Sequence, residues 1–232
     1  MSEPKRILVF GAEGATGREV VRQAVAQGHH VRASDREFQI PEALPDDVEA
    51  VPANVLESDL CPVIRGVDAV ISCLGVPNDP RSLLDPPPLY VDGTARIVQA
   101  MQAEQVRRIV VISASFVVAR DRGPLLFRTA VIPSLTRVLD QMKGMEAVLR
   151  VSGLDWTAVR PGWLMKGEPS PDPWIGPDVI PSELIRTRIG DLAALLLDCA
   201  VNGTWVGATP AIARDEPDFE ESSTKVILEM LA

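Results

Sequence analysis

Short apolar runs alternate along the chain with longer segments in which apolar residues recur every three or four positions. The runs predict buried strands at Ile7–Phe10, His30–Ala33, Val48–Pro52, Ala69–Cys73, Arg108–Ser113, Trp156–Arg160 and Trp205–Gly207. The 3.6-residue spacing predicts helices at Thr16–Gln27, Glu57–Arg65, Asp92–Glu104, Ile132–Val151 and Thr187–Val201. Strand and helix alternating at this length imply parallel strands joined by right-handed crossovers, with helices on both faces of one sheet. Two proline-rich segments break the rhythm, Gly75–Pro88 and Leu164–Pro181. In a doubly wound sheet such loops lie beyond the carboxyl ends of the strands, where ligands bind. Proline-stiffened surface loops would read the same way. Beyond them, Arg214–Thr224 is polar and acidic, and Val226–Leu231 fits a short docking helix.

The first strand runs into Gly11-Ala12-Glu13-Gly14-Ala15-Thr16-Gly17, a Gly-x-x-Gly-x-x-Gly turn that opens the first helix. Glycine at such a turn lets backbone N–H groups approach an anion with no Cβ between them. The helix start adds unpaired N–H groups and the positive end of its dipole. This combination predicts a cradle for the pyrophosphate of a dinucleotide. The second strand ends in Asp35-Arg36. An acid there favours the ribose hydroxyls of NAD(H), while an arginine favours the 2′-phosphate of NADP(H). With Arg18 at the start of the first helix adding positive charge, NADP(H) is slightly favoured and NAD(H) stays open. Asn54 and Val55 follow the third strand, toward adenine. Leu74 and Gly75 follow the fourth, toward the ribose. Asp92 is placed as a helix N-cap.

Composition narrows the classes. The chain has 232 residues, 46% of them apolar, enough for one large α/β domain over residues 1–232. Lysine plus arginine total 23 against 32 acidic residues, a net charge of −9, which disfavours nucleic acid as a partner. No apolar run reaches the roughly 20 residues that span a bilayer, so no membrane partner is expected. Met1–Arg6 leads directly into the first strand with no leader pattern, which points to the cytoplasm. Cys61, Cys73 and Cys199 are far apart and read as free thiols, and no metal site is expected. His29-His30 reads as a polar helix-to-strand turn. No coiled coil or dimer face is evident, leaving monomer or homodimer.

These motifs, together with Cys73-Leu74-Gly75, Asn78-Asp79, Ser113-Ala114-Ser115-Phe116 and Ser152-Gly153-Leu154…Arg160-Pro161-Gly162, resemble an atypical short-chain dehydrogenase/reductase family. Within it the likeness is to the group containing biliverdin-IXβ/flavin reductase and the NmrA-like redox sensors. The resemblance covers nearly the whole chain up to about Ile212. It implies a Rossmann-like domain with a nucleotide-binding part over about 1–115. Substrate-lobe elements would fall at about 116–136 and 164–186, and an acidic tail at 214–232. It places Gly11, Ala12, Gly14, Ala15, Thr16 and Gly17 on the pyrophosphate, and Asp35 and Arg36 at the adenosine ribose. Asn54 and Val55 fall near adenine, and Leu74 and Gly75 line the nucleotide. Ser113, Ala114 and Ser115 fall beside the nicotinamide and substrate, and Pro161, Gly162 and Trp163 at the carboxamide end.

One departure changes the chemistry. Conventional members of the superfamily use Tyr-x-x-x-Lys, in which lysine lowers the tyrosine pKa. Here Tyr90 is the one tyrosine, and Leu139 stands four residues before Lys143. The expected activity is therefore an oxidoreductase that passes hydride to a small aromatic or conjugated molecule of the flavin, quinone or tetrapyrrole type. Ser113 or Ser115 would bond the substrate, and solvent or Lys143 would supply the proton. Phe116, Trp163 and Trp174 would line an apolar pocket or serve as core. The alternatives are a non-catalytic NAD(P)-sensing regulator and an epimerase or dehydratase using Asp79, Asp85 and Tyr90.

Overall fold

A computed structural model describes residues 3–38, 45, 47–77, 79, 82, 85–121, 129 and 132–217. Asn78, part of the 116–136 stretch and the Val226–Leu231 helix lie outside the described residues. β1 (Arg6–Phe10) has four consecutive buried residues, as a strand covered on both faces must. It pairs in parallel with β2 (His30–Ser34) and β4 (Ala69–Ser72), so that Phe10 lies opposite both Ser34 and Ser72. β3 (Glu49–Ala50) forms the edge beyond β2. β5 (Arg108–Ile112), β6 (Asp155–Pro161) and β10 (Pro210–Ala213) continue on the other side, and β8 (Trp174–Pro177) closes the sheet antiparallel to β10. The order β3-β2-β1-β4-β5-β6-β10-β8 reverses between β1 and β4. That reversal opens a crevice at the carboxyl ends of the strands.

Both faces are covered. Ile7, Val9, Ile71, Val110 and Val159 pack against α1 (Ala15–Ala26) and α5 (Ile189–Asn202). Gln23 ties the two helices, its Nε2 donating to the Gly190 carbonyl at 3.0 Å. Leu8, Phe10, Val70, Ile109 and Val111 pack against α2 (Cys61–Ile64), α3 (Thr94–Ala103) and α4 (Thr136–Val151). A separate cluster of Phe116, Val117, Ile132, Leu139 and Ile185 caps the ends of β5 and β6. Beside it, β7 (Trp163–Met165) pairs in parallel with β9 (Arg186–Arg188).

Several elements differ from the sequence expectation. Trp205–Gly207 is a turn, because Trp205 and Gly207 hold positive φ (56° and 71°); the final parallel strand is Pro210–Ala213. Asn54 breaks the expected Glu57–Arg65 helix. Its carbonyl accepts from the Glu57 and Ser58 amides and its Oδ1 from Leu56, so only Cys61–Ile64 is helical. Asp92 lies within a π turn (Leu89–Gly93), and Gly93 rather than Asp92 precedes α3. Ile132–Val151 is two pieces, Ile132–Ser134 and α4. Arg186–Arg188 is extended, so α5 begins at Ile189. β7, β8 and β9 carry no alternating pattern long enough to read from sequence. Of the acidic tail, Glu216 is buried and accepts from the Arg188 guanidinium through both oxygens.

Candidate functional site

The crevice at the β1/β4 reversal is walled by the Gly11–Gly17 turn. Gly11 has φ +71°, and a Cβ there would stand 2.7 Å from the Cys73 carbonyl oxygen at the end of β4. A Cβ at Gly17 would overlap the Gly11 carbonyl oxygen. These two positions admit only glycine, whereas at Gly14 the nearest atom is 3.3 Å away. The turn is pinned by Ala12 N–H to the Ser34 carbonyl (3.2 Å), Gly14 N–H to Gly11 (3.1 Å) and Arg18 N–H to Gly14 (2.9 Å). Gly14 is the N-cap of α1 and has no side chain to satisfy the first-turn amides, and that turn carries no acidic residue. The amides of Ala15, Thr16 and Gly17 therefore stand at the positive end of a twelve-residue helix. The residues present fit a diphosphate.

At the end of β2, Asp35 is held against the turn. Its Oδ2 accepts from Glu13 N–H (3.1 Å) and its Oδ1 from Arg36 N–H (2.8 Å). Its carbonyl accepts from Ala53 N–H at 2.7 Å, which brings Asn54 and Val55 alongside. Arg96 clamps that segment through the Val55 and Ser58 carbonyls (2.8 and 2.7 Å). Arg18 and Arg36 are exposed, and neither guanidinium has an ion-pair partner among the described residues.

At the end of β4, Leu74 is half-buried and Gly75 exposed. The Tyr90 hydroxyl lies 3.9 Å from where a Gly75 Cβ would be, and it accepts the Val76 N–H. Burial raises the Tyr90 pKa above its ordinary value despite that bond. At the end of the same strand, burial pushes the Cys73 thiol up to about 12, which keeps it protonated. Asp79 accepts from Ser82 through both oxygens, and Asp85 is solvent-exposed, 3.9 Å from Arg137. The three groups of the epimerase reading thus have three separate surroundings.

At the ends of β5 and β6 a network appears that the sequence did not reveal. The Ser113 hydroxyl donates to Glu146 Oε1 at 2.7 Å. Arg160 grips the same carboxylate, Nε to Oε1 at 2.9 Å and Nη2 to Oε2 at 2.7 Å, and Arg150 adds a bond to Oε2 at 2.9 Å. Glu146 and Arg160 are 1% and 4% exposed. Burial raises the Glu146 pKa, but the bonds from Arg160 and Ser113 outweigh it and hold the carboxyl below its usual range. The Ser115 hydroxyl donates to the Arg160 carbonyl at 2.9 Å. Both serine protons are therefore engaged inside the protein, and both side chains are buried. Ala114 is half-buried between them, while Lys143 is exposed on α4. Pro161 pairs with Ile212 in the sheet. Gly162 N–H donates to Thr187 Oγ1 (2.9 Å) and Trp163 N–H to the Ile185 carbonyl (2.6 Å). One signal for Glu146 was in the sequence: an acid in the apolar stripe of α4, beside Leu139, Met142 and Leu149.

The profile of the NAD(P)H-binding family matches residues 11–202. An Arabidopsis thaliana chloroplast protein, At2g34460, itself uncharacterized, is 27% identical over 172 residues, which is 72% of this chain and 61% of that protein. The chain spans about half the length of the curated relatives it matches. Among solved structures, the oxidoreductase ylbE from Lactococcus lactis superposes with a TM-score of 0.73 at 21% identity, covering 97% of each chain. A Streptococcus pneumoniae protein, named as a proposed NADH-flavin reductase, gives 0.72 at 20% identity, covering 91% of this chain and 100% of the other. At these identities the structural likeness establishes the fold.

Proposed function

The chain belongs to the NAD(P)H-binding family, and on that premise we propose that it is a reductase passing hydride from a nicotinamide to a flat, conjugated acceptor. Flavins, quinones and tetrapyrroles are the acceptor classes. The observation that carries the reading is the turn at the head of α1. Its first-turn amides have no side-chain cap, and two of its positions admit no Cβ. In this reading Gly11, Ala12, Gly14, Ala15, Thr16 and Gly17 hold the pyrophosphate, Asn54 and Val55 border adenine, and Leu74 and Gly75 line the ribose. Ala114 with Pro161, Gly162 and Trp163 bounds the nicotinamide. Arg18 and Arg36, which have no ion-pair partner among the described residues, favour NADP(H) over NAD(H), because the Asp35 carboxylate is already engaged by two backbone amides.

The bound cofactor supplies the hydride, and the acceptor takes up one proton from solvent or Lys143. The chain's own part is orientation and exclusion of water. An acceptor that delocalises the incoming charge needs no dedicated acid, which suits a cleft whose tyrosine is buried and whose two serine hydroxyls donate internally. We read the protein as a cytoplasmic, single-domain enzyme acting on small molecules as a monomer or homodimer. The test mixes purified protein with NADPH or NADH and FMN or a naphthoquinone, following absorbance at the nicotinamide band. Turnover with any acceptor supports the reading, and none with all of them removes it.

The internal engagement of Ser113 and Ser115 favours a second reading, a regulator that senses the oxidation state of NAD(P) without turning it over. It predicts different affinities for NADP⁺ and NADPH by calorimetry. Equal affinities would count against it.

A further inference from the structure

We propose that Glu146 is a positioning residue that clamps together the two strand ends bounding the nicotinamide half of the cleft. The proposal rests on the reading that a dinucleotide occupies the crevice. Ser113 directly follows β5, and Arg160 is the penultimate residue of β6, just before Gly162 and Trp163. Glu146 holds both: Oε1 accepts from Ser113 and Arg160, and Oε2 from Arg160 and Arg150. Four bonds saturate the carboxylate, so it has no freedom to turn. A second strap runs in the same direction, from the Ser115 hydroxyl to the Arg160 carbonyl. A third is backbone, Ser113 N–H to the Val159 carbonyl at 2.7 Å.

A buried ion pair is a poor device for stability alone, since packed apolar side chains serve as well. Its distinct capacity is to fix geometry. Here the geometry fixed is the gap between Ala114 and Gly162, and α4 brings Glu146 to it from outside the nucleotide turn. The clamp also has an exposed leg. Arg150 is about half exposed and stands over the Trp156 ring, 5.8 Å from its centroid, so the second cation on Glu146 is open to solvent and salt.

The test compares binding of NADPH with binding of 2′-phospho-ADP-ribose, which lacks the nicotinamide. Glu146→Gln and Ser113→Ala are each expected to weaken NADPH binding about tenfold. Both should leave the fragment within about twofold of the parent, and R150Q should follow the same pattern more weakly. A merely structural role would shift both ligands together or neither, and either result overturns the clamp. If E146Q does not fold, S113A decides, because it leaves the Glu146–Arg160 pair intact. A parent chain that binds neither this pair nor NADH and ADP-ribose overturns the dinucleotide reading and the clamp with it, whereas one that binds the fragment and not the whole dinucleotide removes the clamp alone.

Discussion

At the end of β1 the cleft wall is backbone: seven consecutive residues turn so tightly that a single methyl group at Gly17 would collide with the Gly11 carbonyl. At the ends of β5 and β6 the wall is held by side chains, from Ser113, Glu146 and Arg160, which lie far apart in sequence. The first region should therefore tolerate changes of charge and reject volume. The second should tolerate small changes of volume and reject changes of charge. A phosphate needs amides at close range, which only a Cβ-free turn supplies. A planar ring needs a slot of fixed width, which a saturated ion pair can set.

The sharpest way to break the comparison is Gly17→Ala. It should reduce NAD(P)H affinity by about 100-fold or more, measured by calorimetry, while Gly14→Ala stays within about tenfold because its Cβ would meet the Gly11 carbonyl oxygen at 3.3 Å, a tight contact relieved by a small shift. A comparable loss in both would mean that the turn is not read by volume. Arg160→Leu is the matching change on the other wall. It leaves Glu146 buried with only Arg150 and Ser113, and should cost about 3–5 kcal/mol in denaturant unfolding. A loss under about 1 kcal/mol would show that the pair is not needed for folding.

Smaller effects separate the cofactors. Arg18→Ala and Arg36→Ala should each weaken NADPH about tenfold and leave NADH nearly unchanged. Equal losses for both dinucleotides would remove the 2′-phosphate from that corner.

The mildest test uses pH. His29 is buried, with Nδ1 accepting from Lys5 N–H at 3.1 Å. Burial first, then repulsion from His30 and Lys5, lowers its pKa. The unfolded chain therefore takes up a proton at higher pH than the native one. The stability tied to the neutral ring is complete above the unfolded value of about 6.5 and falls as pH drops through it toward the native value. Glu146 acts in the same sense in a lower window, beginning near the unfolded carboxyl value of about 4.3. Urea midpoints between pH 8 and pH 5 should decline in the parent and flatten in His29→Gln. An unchanged slope in the variant would assign the decline to another group.

The turn was legible because everything it needs is contiguous: an apolar strand, three glycines at fixed spacing and a helix start. The Asp35-Arg36 corner was legible for the same reason, one strand later. The β5–β6 wall was not. Ser113 was identifiable as a strand-end serine, but the direction of its proton depends on a residue 33 positions away. Likewise Trp205–Gly207 reads as a strand by composition, while its positive φ angles make it a turn.

The sequence by itself determined the parallel α/β layering and the phosphate-type turn, because hydrophobic period and glycine spacing are local properties of the chain. It also determined that no Tyr-x-x-x-Lys pair exists. Only the tertiary structure decided which strand ends meet, that Tyr90 lies against Gly75, and that Glu146 sits beneath Ser113. Those contacts join residues from different strands and helices. They arise when the sheet order reverses at β1 and β4 and the helices fold back over both faces, an arrangement set by packing rather than by any segment alone.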